Sequence, residues 1–225
     1  MKPILLFDID GTLLHVKKSF TKQMFSDIAN ELNISFSHME NSSFAGRTDK
    51  DIFEELASAY PQSNLFYDEL KRLYIEYMDN YFSNGHVSVI EGAAEAVHKA
   101  IKKGYRVGLC TGNFRETAYM KVIAAGFNNT FDFGGFGCRH TDRKHIPYDA
   151  HKEFSEKFGY KPEPGNYVVI GDTPNDIRCA KYFGAVSLAV STGSYPLGDL
   201  EKDDPDILLS DLFSLNECLE FYFSQ

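Results

Sequence analysis

The chain has 225 residues, 43% of them hydrophobic, enough to bury a sizeable core in one large domain or one domain carrying an insertion. Its 32 acidic side chains outweigh 23 Lys and Arg for a net charge of -9, which argues against broad attraction to nucleic acid or to an anionic membrane. A chain of this charge that binds an anion needs a metal or a focused cationic site to do it.

The first element is the apolar run that opens "LLFDIDGTLL", a strand over about residues 4–9 that ends on Asp8 and Asp10, followed at once by Gly11 and Thr12. From Ser19 to about Phe82 the periodicity is helical. Phe20, Met24, Ile28 and Leu32 recur every four residues behind Ser19 as a candidate N-cap, which predicts a helix over 19–32. "GRTDKDIFEELASAY" reads as a loop, a Thr48 or Asp49 cap and a short helix, and Phe66, Leu70, Leu73, Tyr74, Tyr77 and Tyr81 mark an amphipathic helix over 64–82. Tyr67, Tyr74, Tyr77 and Tyr81 read as packing rather than as a substrate box.

From about residue 87 the pattern alternates. Helical segments close at Gly104, Gly126, Gly159 and Gly184, and apolar runs follow in "YRVGLCTG", "FDFGGFG", "NYVVIGD" and "AVSLAV". Helix, glycine, then apolar strand, four times over, predicts an α/β fold: a Rossmann-like, doubly wound parallel sheet wrapped by helices. The first strand belongs to that sheet, so residues 1–14 and 88–225 form the core. Residues 15–87 are an all-helical insertion, hinged at both ends and well placed to act as a lid.

Open parallel sheets bind ligands beyond the carboxyl ends of their strands. Those ends carry Asp8 and Asp10; Thr111, Gly112 and Asn113 in "CTGN"; and Asp172 with Asp176 in "GDTPND", with Arg143 and Lys144 of "DRKH" near the start of an intervening helix. Singly, each has an ordinary reading as a turn former, helix cap or solvated surface charge. Together, three or four carboxylates at one sheet edge repel unless a cation joins them, and an all-oxygen ligand set favours a hard ion such as magnesium. Such an ion beside hydroxyl, amide and backbone N–H donors and one basic side chain suits a phosphoryl group, which a carboxylate can accept as an aspartyl phosphate.

"DIDGTLL", "LCTGN", a basic residue and "GDTPND", in that order across essentially the whole chain, resemble the four motifs of the haloacid dehalogenase-like hydrolase superfamily, nearest its phosphoglycolate phosphatase-like and β-phosphoglucomutase-like members with a helical cap. The resemblance implies Asp8 as nucleophile and Asp10 as general acid and then base. It implies magnesium held by Asp8, Asp10 through its backbone carbonyl, Asp172 and Asp176, and phosphoryl oxygens held by Thr111, Gly112 and Asn113. Many relatives have "KP" in the third motif; here Arg143, or alternatively Lys144, takes that place, and Arg47 in the cap loop is a candidate substrate contact. The activity implied is a magnesium-dependent phosphatase for a small phosphorylated metabolite, with a sugar phosphomutase as the rival. A dehalogenase would leave Asp10 superfluous. A receiver-type or non-catalytic phosphate-binding protein is disfavoured by the insertion and by the filled catalytic positions.

Cys110, Cys138, Cys179 and Cys218 lie far apart with no CxxC pair, so free thiols in a reducing compartment are expected rather than a zinc site. The aspartate motif leaves no room for a signal peptide, and no apolar run reaches membrane-spanning length, so a cytoplasmic location is expected.

Overall fold

The computed structural model describes residues 2–36, 44–58, 60 and 63–224; residues 1, 37–43, 59, 61–62 and 225, which fall within the ranges read above, lie outside it. In chain order the first elements are β1 (Ile4–Phe7), β2 (Leu14–His15), α1 (Lys18–Glu31), α2 (Asp49–Ser58), α3 (Ser63–Ser83) and β3 (Ser88–Val89). There follow α4 (Ala93–Lys102), β4 (Arg106–Thr111), α5 (Arg115–Ala124), β5 (Gly134–Phe136), α6 (Ile146–Phe158), β6 (Tyr167–Gly171) and α7 (Pro174–Phe183). β7 (Val186–Val190), α8 (Leu197–Glu201), β8 (Ile207–Leu209) and α9 (Leu215–Tyr222) complete the chain.

Six strands form one parallel sheet in the order β5-β4-β1-β6-β7-β8. All four β1 side chains are buried because the strand is covered on both faces. Leu5 and Phe7 pack in one layer with Val97, Val122 and Leu219 from α4, α5 and α9. Ile4 and Leu6 pack in the other with Phe154 and Phe183 from α6 and α7. The period-2 alternation of a strand thus divides one apolar run between two cores. Gly104, Gly126, Gly159 and Gly184 all have positive φ, as the helix-glycine-strand reading requires.

Chain topology places the ends of three strands side by side. β1 lies between β4 and β6, with Phe7 in register with Leu109 on one side and Ile170 on the other. From β1 the chain runs outward through β4 to β5 and then crosses to β6 on the other side of β1, so the switch point of the fold falls between the carboxyl ends of β1 and β6.

An all-helical cap is inserted after β1. α1, α2 and α3 share a core of Met24, Ile28, Phe53, Leu56, Leu70 and Met78. At the base of this insertion β2 and β3 pair antiparallel, Leu14 with Val89 and His15 with Ser88. The first cap helix starts one residue before the expected Ser19, with Lys17 at the N-cap position and no side-chain cap bond. The apolar period fixes the buried face of this helix, Met24 and Ile28, but not its first turn. The sixth strand, β8, is three residues long, too short for periodicity to register. No helix among the described residues is long and apolar enough to cross a membrane.

Candidate functional site

Asp8 follows β1 directly and is 3% exposed, its N–H bonded to Ile170 O at 2.9 Å. Asp172 follows β6, and Asp176 lies in the first turn of α7; both are buried. One carboxylate oxygen from each of Asp8, Asp172 and Asp176 falls within 4.8 Å of the others. The three residues come from two adjacent strand ends and one helix start, which is why spacing in the sequence alone does not reveal the distance.

The turn after β1 is shaped by this crowding. Gly11 has φ +88°, and a Cβ there would lie 2.3 Å from Asp172 Oδ2. Only glycine tolerates both that backbone region and that approach. Gly11→Ala is accordingly expected to lower the stability seen in urea unfolding by about 1–3 kcal/mol and to depress activity; an unchanged unfolding midpoint would contradict the packing. Thr12 turns its hydroxyl to Asp172 Oδ1 at 3.2 Å, and Asp176 closes a capping box, accepting from Thr173 N–H at 3.0 Å and Thr173 Oγ1 at 2.7 Å.

Arg143 and Lys144, adjacent in sequence, are separated by the fold. Arg143 is buried, with its Nη2 2.8 Å from Asp8 Oδ1 and also bonded to Asp176 Oδ1. Its Nε is buried with no partner among the described residues. Lys144 points elsewhere: its side chain is 40% exposed and pairs with Asp142 at 2.6 Å. Arg143→Ala is expected to cost about a hundredfold or more in kcat/KM, whereas Lys144→Ala should stay within about twofold, as exposed ion pairs contribute little. Steady-state kinetics on the two variants measures this directly.

A third cation went unread in the sequence. Lys121, on α5, is 4% exposed. Its Nζ donates to Asp10 Oδ2 at 2.6 Å and to Asn113 Oδ1 at 2.6 Å. Asn113 Nδ2 donates to the same Asp10 oxygen and to Thr111 Oγ1, each at 2.7 Å. Both donors meet Oδ2 of Asp10, and no bond to its Oδ1 is found among the described residues. The lysine could have been suspected because it sits on the apolar side of its helix, between Ala118 and Val122, where an unpaired charge is costly. Lys121→Met is expected to lower kcat by about ten- to a hundredfold with little change in KM, because the Asp10 carboxyl loses one of its two anchors.

The electrostatics follow from burial. Burial pushes the Asp8 carboxyl up to about 7; Asp176 and Asp10 add to the rise, and Arg143 opposes it. Burial pushes Asp172 higher, to about 8, with Asp8 and Asp176 adding and Arg143 and the Thr12 hydroxyl opposing. One guanidinium does not offset three carboxylates in so small a volume. The donor set is all oxygen, buried and overcharged, which fits a hard divalent cation such as magnesium.

The cap closes over this edge through main-chain contacts. Gly112 O accepts from Asp49 N–H at 2.7 Å, and a Cβ on Gly112 would lie 2.0 Å from Arg47 O. Gly112 is therefore the point where the cap loop meets the core. Arg47 turns its side chain back along α2, to Asp51 at 2.7 Å and Glu55 at 2.6 Å. Asp49, partly buried, accepts the Phe114 N–H at 2.8 Å, and burial pushes its carboxyl up to about 6. Beneath the cap lies a cavity of about 380 Å³ whose floor includes Asp8, Asp10, Thr111, Asn113, Lys121, Arg143 and Asp172.

Fold and site together define a doubly wound α/β protein with a carboxylate cluster at its switch point and an inserted helical cap above it. Residues 5–190 match the haloacid dehalogenase-like hydrolase family, and the chain belongs to that family. It is similar to the phosphoglycolate phosphatase of Mesorhizobium japonicum, 25% identical over 93% of this chain and 91% of that one. Pyrophosphatase PpaX of Bacillus cereus is 26% identical over 93% of each. Among solved structures, a hydrolase from Pseudomonas syringae aligns with TM-score 0.73 at 17% identity, covering 98% of this chain and 99% of that one. β-Phosphoglucomutase from Clostridium difficile aligns with TM-score 0.72 at 16% identity over the whole of both chains.

Proposed function

We propose that this protein is a magnesium-dependent phosphatase that hydrolyses a small phosphorylated metabolite through an aspartyl phosphate on Asp8. The observation that carries the reading is the buried trio Asp8, Asp172 and Asp176 joined to Arg143, with the Asp10 carboxyl held apart from it by Lys121 and Asn113. The core comprises 1–14 and 88–225 and the cap 15–87, a division supported by the pairing of β2 with β3 at the base of the insertion.

Magnesium, held by the carboxylates of Asp8 and Asp172, the backbone carbonyl of Asp10 and, near by, Asp176, would supply neutralisation of the negative charge gathered on the carboxylates and on a phosphoryl group. Asp8 is fixed at the tip of a strand buried on both faces, as in-line displacement at phosphorus requires of its nucleophile. Its oxygen forms the new bond to phosphorus while the ester oxygen leaves and takes a proton from Asp10. Asp10 then removes a proton from water, which attacks phosphorus and releases phosphate, regenerating the Asp8 carboxylate. The anchors on Oδ2 leave Oδ1 of Asp10 to carry the proton. Thr111, Gly112 and Asn113 hold the phosphoryl oxygens, and the unpaired Nε–H of Arg143 is a donor that a ligand oxygen can satisfy.

Hydrolysis is favoured over phosphomutation because Arg47, the cation of the cap loop that meets Gly112, is engaged by Asp51 and Glu55 rather than free for a second phosphate. Phosphate release from a panel of phosphorylated metabolites with magnesium, with a sugar bisphosphate added as primer in parallel, tests the reading. Release without primer is expected. Isomerisation of a sugar phosphate only when primer is present would replace it with the mutase.

A further inference from the structure

The cavity above Asp8 has two unlike halves. Its floor is the charged sheet edge just described. Its roof comes from the cap, where Phe25, Ile52, Phe53, Tyr74 and Met78 line it. The rings form a continuous wall: Phe53 and Tyr74 lie 5.0 Å apart between centroids, Phe25 and Tyr74 6.3 Å, and Phe25 and Phe53 6.4 Å.

Beside this wall, charge on the cap side is either spent or of the wrong sign for an anion. Arg47 lines the cavity but is held by two carboxylates of the helix that follows it. Asp49, at the start of α2, lines it as a further acid. Lys18 and His15 also line the cavity, and both are exposed to solvent. A second anionic group placed against these rings would lose its water there and face the Asp49 carboxyl group, and among the described residues no Lys or Arg stands over Phe25, Phe53 or Tyr74 to meet it. A carbon skeleton placed there loses nothing and buries apolar surface. The volume of about 380 Å³ lies within the range of small-molecule pockets.

We propose that the substrate is a phosphate monoester of an uncharged, predominantly apolar alcohol, its carbon skeleton against Phe25, Phe53, Tyr74 and Met78 while its phosphoryl group meets Asp8. This rests on the phosphatase reading and narrows it. It also sets this chain apart from the substrates named by its relatives, phosphoglycolate and pyrophosphate, each of which carries a second anionic group.

The test is phosphate release by the full chain with magnesium from n-alkyl phosphates of two to six carbons, phosphoglycolate, pyrophosphate and phosphocholine. Ethyl phosphate and phosphoglycolate form a matched pair differing in a methyl against a carboxylate. The expected result is kcat/KM rising about fourfold per added methylene, with ethyl phosphate ahead of phosphoglycolate. Phe25→Ala should flatten the chain-length series, and Met78→Lys should reverse the order of the matched pair; either variant suffices if the other fails to fold. A series with no dependence on chain length, or preference for phosphoglycolate, pyrophosphate or phosphocholine over hexyl phosphate, overturns the inference and leaves the phosphatase reading standing. No release from any ester overturns that reading and the inference with it.

Discussion

Asp8→Asn is expected to reduce phosphate release by at least about a thousandfold while leaving the fold intact. An amide is nearly the same shape as a carboxylate, but it is a poor nucleophile toward phosphorus, and the covalent route through Asp8 closes. The substitution also removes one charge from a buried, overcharged cluster in which burial has already raised the carboxyl to about 7. The variant is therefore expected to unfold at the same or a slightly higher temperature than the natural chain without metal. Loss of stability alongside loss of activity would point to a structural Asp8. Asp10→Asn should behave differently. It removes the proton carrier from both half-reactions, so rapid quenching should show slow formation and slow hydrolysis of the phosphoenzyme, each by about 10²- to 10⁴-fold. Turnover by Asp10→Asn at the natural rate would remove its acid and base role.

The second large effect is metal removal. Chelation is expected to abolish turnover, and magnesium to restore it. The stability of the protein should reveal the same site without any assay of activity. Asp8 at about 7 and Asp172 at about 8 stand above the ordinary carboxylate value. Between roughly pH 4 and pH 8 the folded, metal-free protein holds protons that the unfolded chain releases. Its stability therefore falls as pH rises through that window. A divalent cation replaces those protons, so its stabilisation grows with pH. Thermal unfolding at pH 5.5 and pH 8, with magnesium fixed in both at about a hundred times its Kd at pH 8, should show a rise in Tm of about 5–10 °C at pH 8 and a much smaller one at pH 5.5. Equal shifts at both values would separate the metal from the carboxylate cluster.

The parallel sheet, the order of its motifs and the inserted cap were legible because each has a local signature. Apolar runs of strand length mark β1, β4 and β6, helices end at glycines of positive φ, and amphipathic periods mark the insertion. The ribbon of β2 and β3 and the three-residue β8 carried none, since strands so short owe their existence to the partner they lie against. The start of α1 was misplaced by one residue for a related reason: the N-cap there makes no side-chain bond, so no residue type announces it.

At the site the division is sharper. Asp8, Asp10, Thr111, Asn113, Asp172 and Asp176 are carried by motifs, because each stands within a few residues of a strand end, and strand ends can be read from the chain. Residue types at those ends determined that carboxylates would gather at one edge. What tertiary structure decided is which partners they have. Arg143 and Lys144 are neighbours in sequence, but only the former enters the cluster, the short 3-10 turn over Arg143–His145 sending successive side chains in different directions. Lys121 lies ten residues beyond Thr111, two turns into a helix, and meets Asp10 only because α5 packs back across the edge of the sheet. Arg47 stands in the expected loop, yet Asp51 and Glu55 on the following turns pair its guanidinium, and it is its backbone that makes the close contact with Gly112. Covalent neighbours and hydrophobic period fix where a residue lies along an element, whereas charge pairing acts through space and is settled only when distant elements pack.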